Sequence, residues 1–263
     1  AANCNARMQA PRTLWDTTYV YPAGEVSWIN RWNPSYLPLI PKLKSSINTY
    51  YPDTNLAFTE YDYGGQTHWS GGIATADVLG IFGKYGVYIA NYWGGGSYVD
   101  AAIKIYTNYD GANSKFGDTE VYSLMSNKVD SSIYASVFNG YTCELHLIVI
   151  NKNIDNDITG TFNITSPQNF YSGRVWRFNN SSATISETTA ISSITGNSFT
   201  YTVPKTSVCH MVLLADPPLW DTTGPSEVSD CHVNIWDLNE FASSWLNTYD
   251  FVYLADFAQD WGI

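Results

Sequence analysis

The stretch from Asn55 to Trp93 constrains this chain more than any other. Leu56-Ala-Phe58 is a short apolar run of the kind that forms a buried strand. A single acid, Glu60, stands where the run ends, and Gly64-Gly65 breaks the chain just behind it. From Ile73 to Tyr85 apolar residues recur at helical spacing, with Ile73, Ala76, Leu79 or Gly80, and Phe82-Gly83 on one side. Gly86 stops that helix, and Val87 to Trp93 reads as a second buried strand. Strand, acid, glycine turn, helix, strand is a βαβ unit, and such units build parallel sheets or barrels. In a barrel the carboxyl ends of the strands carry the chemistry, which makes Glu60 the candidate catalytic residue. The same spacing also suits a solvated loop carboxylate. The neighbours favour chemistry: Tyr61, Tyr63, His68 and Trp69 follow at once. Rings beside a carboxylate suit a sugar, which offers an apolar face and a hydroxylated rim.

Two runs carry a resemblance. Leu56-Ala-Phe-Thr-Glu-Tyr-Asp-Tyr-Gly-Gly65 and Ser70-Gly-Gly-Ile-Ala-Thr-Ala-Asp-Val-Leu-Gly-Ile-Phe-Gly-Lys-Tyr-Gly86 closely resemble glycoside hydrolase family 44. Arg7-Met-Gln-Ala-Pro-Arg-Thr-Leu-Trp-Asp-Thr-Thr-Tyr19 and Ser46-Ile-Asn-Thr-Tyr-Tyr-Pro52 are similar to that family as well, and the likeness covers residues 5 to 215. The resemblance implies a secreted, extracellular endoglucanase or xyloglucanase that retains anomeric configuration. It implies a (β/α)8 barrel carrying a β-sandwich, with Glu60 at the nucleophile position. Trp28, Trp32 and Trp93 fall at glucan-stacking positions. Trp15, Tyr61 and Tyr63 complete the candidate substrate-binding set, either tyrosine being placed to orient Glu60.

The expected fold class is therefore α/β plus all-β: the carboxyl-terminal portion of a (β/α)8 barrel, then a β-sandwich and a short helical tail. Residues 1–112 offer about three strand–helix units, whereas a closed barrel needs eight. The units expected are a strand around Arg12 to Trp15, a helix from Pro34 to Tyr50 with Leu37, Ile40, Leu43 and Ile47 on one stripe, and a last helix from Tyr98 to Tyr109. Retaining hydrolysis needs a second carboxyl group about 5 Å from the nucleophile. Asp16, Asp62 and Asp100 are the nearby acids, and none lies in a matching motif. The expectation is a chain that needs an amino-terminal partner or segment to complete the barrel and supply the acid/base. The alternatives are a non-catalytic carbohydrate-binding protein and a self-assembling surface protein derived from such an enzyme.

Residues 113–215 change pattern. Seven runs alternate or are continuously apolar: Glu120 to Met125, Ile133 to Phe138, Glu144 to Ile150, Ile158 to Ile164, Gly173 to Phe178, Ser198 to Val203 and Val208 to Leu214. Turn clusters separate them, as in a β-sandwich. Residues 216–229 read as a linker. Residues 230–263 hold two similar short segments, Val233 to Trp245 and Val252 to Trp261, that resemble dockerins, modules that attach enzymes to a scaffold protein. Asp230, Asn234 and Asp237 make an incomplete calcium loop, because Ser226, Val228 and Cys231 occupy places where ligands or glycine belong. Asn151 to Asp157 also offers oxygens to a structural calcium, and serves as well as a hairpin loop. No cofactor is required by any of these readings.

Composition sets the outer limits. The 263 residues are 44% hydrophobic and 14% charged, which describes a globular chain. Aromatic residues reach 16%, with 10 Trp and 20 Tyr, enough for both a core and a polysaccharide-facing surface. The net charge of -11 opposes nucleic acid and anionic membranes. No apolar run approaches a membrane span. Cys4, Cys143, Cys209 and Cys231 show no zinc spacing, and two of them, Cys143 and Cys209, fall in strands of one region where a disulfide could join them. Asn163, Asn179 and Asn180 fit the glycosylation sequon.

Overall fold

The computed structural model describes residues 2–20, 28–138, 141–217, 221, 233, 235–243 and 261. The first half runs α1 (Ala2–Gln9), a 3-10 turn (Ala10–Leu14), α2 (Trp28–Trp32), a 3-10 turn (Pro34–Tyr36), α3 (Leu39–Tyr50), β1 (Ala57–Tyr61), α4 (Trp69–Lys84), β2 (Ile89–Tyr92) and α5 (Ser97–Thr107). β1 and β2 pair in parallel with α4 between them, which is the βαβ unit read from the sequence.

The expected strand at Arg12 to Trp15 is instead the 3-10 turn Ala10–Leu14. Pro11 lacks the N–H a strand would donate, and Arg12 closes on Asp16 at 2.7 Å, a spacing of four that only a helical turn allows. The helix expected from Pro34 starts later, at Leu39, so that Pro38 is its extended cap and Pro41 lies in the first turn, where N–H groups have no helical partner. The last helix ends at Thr107 rather than Tyr109. The described part of residues 1–112 thus holds two strands, not three. They are also less buried than their composition suggests. Ala57, Thr59 and Glu60 are exposed while Phe58 and Tyr61 are half-buried, because the helices cover only one face of the pair.

α4 sits inside the molecule, with twelve of its sixteen residues buried. His68 caps it by accepting the Ser70 N–H. Its approach to the large sheet depends on Gly80, where a Cβ would lie 2.2 Å from the Tyr134 ring.

The second half supplies β3 (Thr119–Val121), β4 (Ser131–Phe138), β5 (Tyr141–Asn151), β6 (Ile158–Asn163), β7 (Phe170–Asn179), β8 (Ser182–Glu187), β9 (Ser198–Val203) and β10 (Ser207–Ala215). Six strands form one antiparallel sheet in the order β3-β4-β5-β10-β7-β8, and β6 pairs with β9 in a second. β8 was not evident from the sequence, since only Ala183 and Ile185 point inward from a polar segment. Alternate residues serve two cores. Leu145, Leu147, Val149, Val175, Met211 and Leu213 pack under Phe199 and Val203 of the small sheet. Tyr134, Ile148, Ile150, Trp176, Phe178 and Val212 join Ile73, Ile81 and Ile105 of α4 and α5. Both faces are covered, which explains why β5 and β10 read as unbroken apolar runs. Each fully buried aliphatic side chain stabilises this arrangement by about 1.5–3 kcal/mol.

Three polar clusters fix the helices on the sheet. Lys152, 2% exposed, donates to Asp77 Oδ2 on α4 at 3.1 Å and to Ser132 at 3.0 Å, and the Tyr134 phenol donates to the other Asp77 oxygen at 2.6 Å. His210 Nδ1 donates to the Ile105 carbonyl of α5 at 2.7 Å, so its Nε2 must accept from His146 Nδ1 at 3.0 Å. Asp16 accepts from Arg12 and from Lys128, tying the first turn to the β3–β4 connection.

The Cys143–Cys209 pairing is overturned. Cys143 is disulfide-bonded, whereas Cys209 is a free, buried thiol. In the register, Cys209 faces Val149, six residues along β5 from Cys143. That is roughly 20 Å at about 3.3 Å per residue, far beyond bridging distance. The Asn151 to Asp157 segment is a loop whose side chains bond backbone groups: Asn151 donates to the Asn156 carbonyl in the loop and to the Val203 carbonyl of β9, and Asn153 accepts from the Asp155 and Asn156 N–H groups. In the tail, α6 (Ile235–Ser243) is described. Asp230, Cys231, Asn234 and all of the second dockerin-like segment except Trp261 lie outside the described residues, as does most of the linker.

Candidate active site

The strand that carries Glu60 is irregular. Ala57 and Phe58 face Ile89 and Ala90 of β2, and the next pair is Tyr61 with Tyr92. Three steps on β1 therefore answer two on β2, so one extra residue is accommodated at Thr59 and Glu60. The bulge puts Phe58 and Tyr61 on the same side, where Phe58 stacks on Phe82 of α4 at 4.8 Å and Tyr61 meets the same ring edge-on at 5.2 Å. Glu60 is left exposed, with no hydrogen bond or ion pair among the described residues. It opens into a cleft of about 900 Å³, shared with Arg7, Thr13, Leu37, Asp62 and Tyr63.

The loop behind Glu60 is held from several sides. Asp62 accepts the Gly64 N–H and the Tyr92 hydroxyl, each at 2.7 Å. Gly64 and Gly65 both take positive φ, 68° and 66°, which the turn requires. Arg7 of α1 donates to the Tyr63 carbonyl at 3.1 Å and to the Ser70 hydroxyl at 2.7 Å. The Trp93 N–H donates to the Tyr61 carbonyl at 2.9 Å, and Gln66 donates to the Trp93 carbonyl at 3.1 Å. Burial pushes the Tyr61 phenol up to about 12, so it stays protonated at any working pH. Burial, and then the Asp62 carboxylate, raise Tyr92.

The structure brings Glu60, Tyr61 and Tyr63 to one cleft, and Trp15, Trp32 and Trp93 are not among the residues that line it. Trp93 follows β2 and is 64% exposed; Trp32 closes α2 and is 68% exposed, with the Arg31 guanidinium over its ring. Trp28 opens α2, and its side chain lies outside the described residues. Trp15 packs on the helical core with Lys128 over its ring, and it does not line the cleft. Arg7 was given no role from the sequence. A lone arginine on a polar helix carries no local signal, and its importance comes from the loop it meets 56 residues later.

Of the acids near Glu60 in sequence, only Asp62 shares the cleft. Asp16 is a buried counter-ion. Burial alone would raise its carboxyl, but hydrogen bonds from Lys128, the Thr18 backbone and Arg12 outweigh that and hold it well below the usual carboxylate range. Asp100 lies in the first turn of α5. Among the described residues no group of three His, Cys, Asp or Glu side chains could hold a metal ion, and no helix is long and apolar enough to cross a membrane.

No protein-family model matches the chain. Endoglucanase A of Paenibacillus lautus is 55% identical over 214 residues, which are 80% of this chain and 30% of that protein. A solved family 44 xyloglucanase from Paenibacillus polymyxa superposes with a TM-score of 0.76 at 51% identity, covering 81% of this chain and 42% of the other. A family 44 endoglucanase from Clostridium thermocellum gives 0.76 at 52%, covering 80% and 41%. Enzymes of glycoside hydrolase family 44 are homologues of this chain. The chain spans less than half the length of each of these relatives. The relatives contain further polypeptide beyond the match.

Proposed function

We propose that this chain is part of a retaining endo-β-1,4-glucanase acting on cellulose or xyloglucan, with Glu60 as the nucleophile. The observation that carries the reading is an unpaired glutamate at a strand bulge, opening into an aromatic-rimmed cleft, in a chain half identical to family 44 enzymes. One of those relatives has been solved with xyloglucan.

In this mechanism Glu60 attacks the anomeric carbon from one face of the sugar, forming a glycosyl ester, and a second carboxylic acid protonates the departing oxygen. Its freedom from ion pairs leaves the carboxylate available as a nucleophile. Tyr61 and Tyr63 line the same cleft, and Trp32 and Trp93 offer exposed faces to glucose units. The acid/base comes from polypeptide that completes the barrel, since Asp62 is held by Tyr92 and the turn. A disulfide-bonded Cys143 fits an extracellular setting. A scaffold contact through residues 230–263 and a structural calcium belong to the same proposal and enter no step of it.

A binding role without hydrolysis is the second reading, favoured by the exposed Trp32 and Trp93. Reducing-end release from xyloglucan separates the two. The chain alone should be inactive. Supplemented with the part of the Paenibacillus polymyxa xyloglucanase outside the match, it should hydrolyse xyloglucan and lose that activity on Glu60→Gln. Glucan retention without hydrolysis in the supplemented sample would favour the second reading.

A further inference from the structure

Trp93 stands on a stretch of chain that cannot hold it. β2 ends at Tyr92, and Trp93 is followed by Gly94, Gly95 and Gly96 before α5 opens at Ser97. Glycine keeps more backbone freedom than any other residue, so three in a row leave the preceding side chain poorly fixed. The indole is 64% exposed, and among the described residues no ring or cation packs on it. Its place is set instead from the neighbouring loop, by Gln66.

Gln66 lies in the loop that follows Glu60, between β1 and α4. Its side-chain Nε2 donates to the Trp93 carbonyl at 3.1 Å. Its backbone carbonyl accepts the N–H groups of Tyr98 and Val99, at 3.2 and 3.3 Å. Those are open donors in the first turn of α5, whose own N-cap, Gly96, has no side chain to offer them. The glycines permit the close approach. A Cβ at Gly94, where φ is 97°, would lie 2.3 Å from Gln66 Nε2, and one at Gly96 would lie 2.7 Å from the Gln66 carbonyl oxygen. The Trp93 N–H is already on the Tyr61 carbonyl at 2.9 Å. Both backbone polar groups of Trp93 are therefore tied to the segment that carries Glu60.

We propose that Gln66 is a positioning residue for glucan binding: its amide fixes Trp93 so that a β-1,4-linked glucose unit stacks on the indole while the sugar chain extends toward Glu60. This rests on the reading of Trp93 as a stacking face given above. The bond runs in one direction. A carbonyl only accepts, so the side chain at position 66 must donate, which an amide does and an ionised carboxylate cannot. Release of Gln66 frees Trp93 on its carbonyl side alone, because its N–H stays on Tyr61 and β1 stays paired with β2. Glucan binding is weakened and the nucleophile is undisturbed. In hydrolysis this raises KM and leaves kcat nearly unchanged.

The test uses the chain with Glu60→Gln, supplemented as for hydrolysis, and a neutral xyloglucan oligosaccharide, so that turnover and the titration of Glu60 are both removed. Gln66→Ala should weaken binding by about threefold to tenfold, the loss of one hydrogen bond. Trp93→Ala should weaken it at least as much, and Gln66→Ala added to Trp93→Ala should cause no further loss. Gln66→Glu should bind as weakly as Gln66→Ala at about pH 7. It should recover toward the parent at about pH 4, where a carboxyl titrating near 4.3 is largely protonated and can donate. Gln66→Ala should show no such recovery, which separates a lost donor from a distorted fold. The proposal is overturned if Gln66→Ala binds as well as the parent while Trp93→Ala does not, if the two losses add, or if acid fails to restore Gln66→Glu. Trp93→Ala without effect overturns the stacking reading as well, so the two failures are told apart.

Discussion

Phe58 and Tyr61 lie three residues apart on one strand and rest on the same ring, that of Phe82. A regular strand sends such residues to opposite faces, so this shared contact is the signature of the bulge that exposes Glu60. Phe82 is 5% exposed and acts as the anvil for the whole turn. Phe82→Ala should destabilise the chain by about 3–5 kcal/mol, read by denaturant unfolding. Phe82→Leu should cost less and retain the bulge, seen as unchanged chemical shifts at Thr59 and Glu60.

Lys152 and Asp77 form a buried pair between the sheet and α4. Removing one partner strands the other charge. Lys152→Met should therefore cost about 3–5 kcal/mol, while the double change Lys152→Met with Asp77→Leu should recover a large part of it. Equal losses in the single and double variants would contradict the pairing.

His210 is fully buried, and burial followed by the nearby His146 lowers it to about 3. In the unfolded chain an imidazole titrates near 6.5. Between these values the unfolded state binds the extra proton, so stability is full above about 6.5 and falls as pH drops toward 3. The slope from this one group is at most ~1.4 kcal/mol per pH unit. His210→Gln should flatten unfolding free energy against pH across that window, whatever its effect at neutral pH.

Asp16 works in the same direction lower on the scale. Its folded carboxyl is depressed, so its contribution is present above the unfolded value near 3.9 and is lost as pH falls below it. Asp16→Asn should cost about 3 kcal/mol at neutral pH, and the gap from the unaltered chain should narrow in strong acid.

Cysteine labelling checks the disulfide assignment. Cys209 is buried and its thiol is pushed up to about 12 by that burial, whereas Cys4 is half-buried and free. Iodoacetamide should modify Cys4 in the native chain and reach Cys209 only after unfolding, with Cys143 resisting until reduction.

The βαβ unit was legible because its signals are local: an apolar run, paired glycines and a helical stripe between Ile73 and Phe82. The large sheet was legible for the same reason, since β5 and β10 are apolar on both faces. The Arg12 turn was misread because Thr13-Leu14-Trp15 looks like a strand until the Asp16 ion pair is known. β8 escaped because its two inward residues sit among serines and threonines. At the site, Glu60 and the tyrosines could be named, but the bulge could not. A register shift depends on the partner strand, and only Tyr92 opposite Tyr61 reveals it. Arg7 was hidden for a similar reason, its partners lying 56 and 63 residues away.

Covalent trapping tests the central claim most directly. The chain, supplemented as above, is treated with a 2-deoxy-2-fluoro cello-oligosaccharide bearing a good leaving group, which slows breakdown of a glycosyl ester more than its formation. Peptide mass spectrometry should then find the sugar on Glu60 and nowhere else. A sugar ester on Asp62 or another residue, or full hydrolytic activity in Glu60→Gln, would contradict the account.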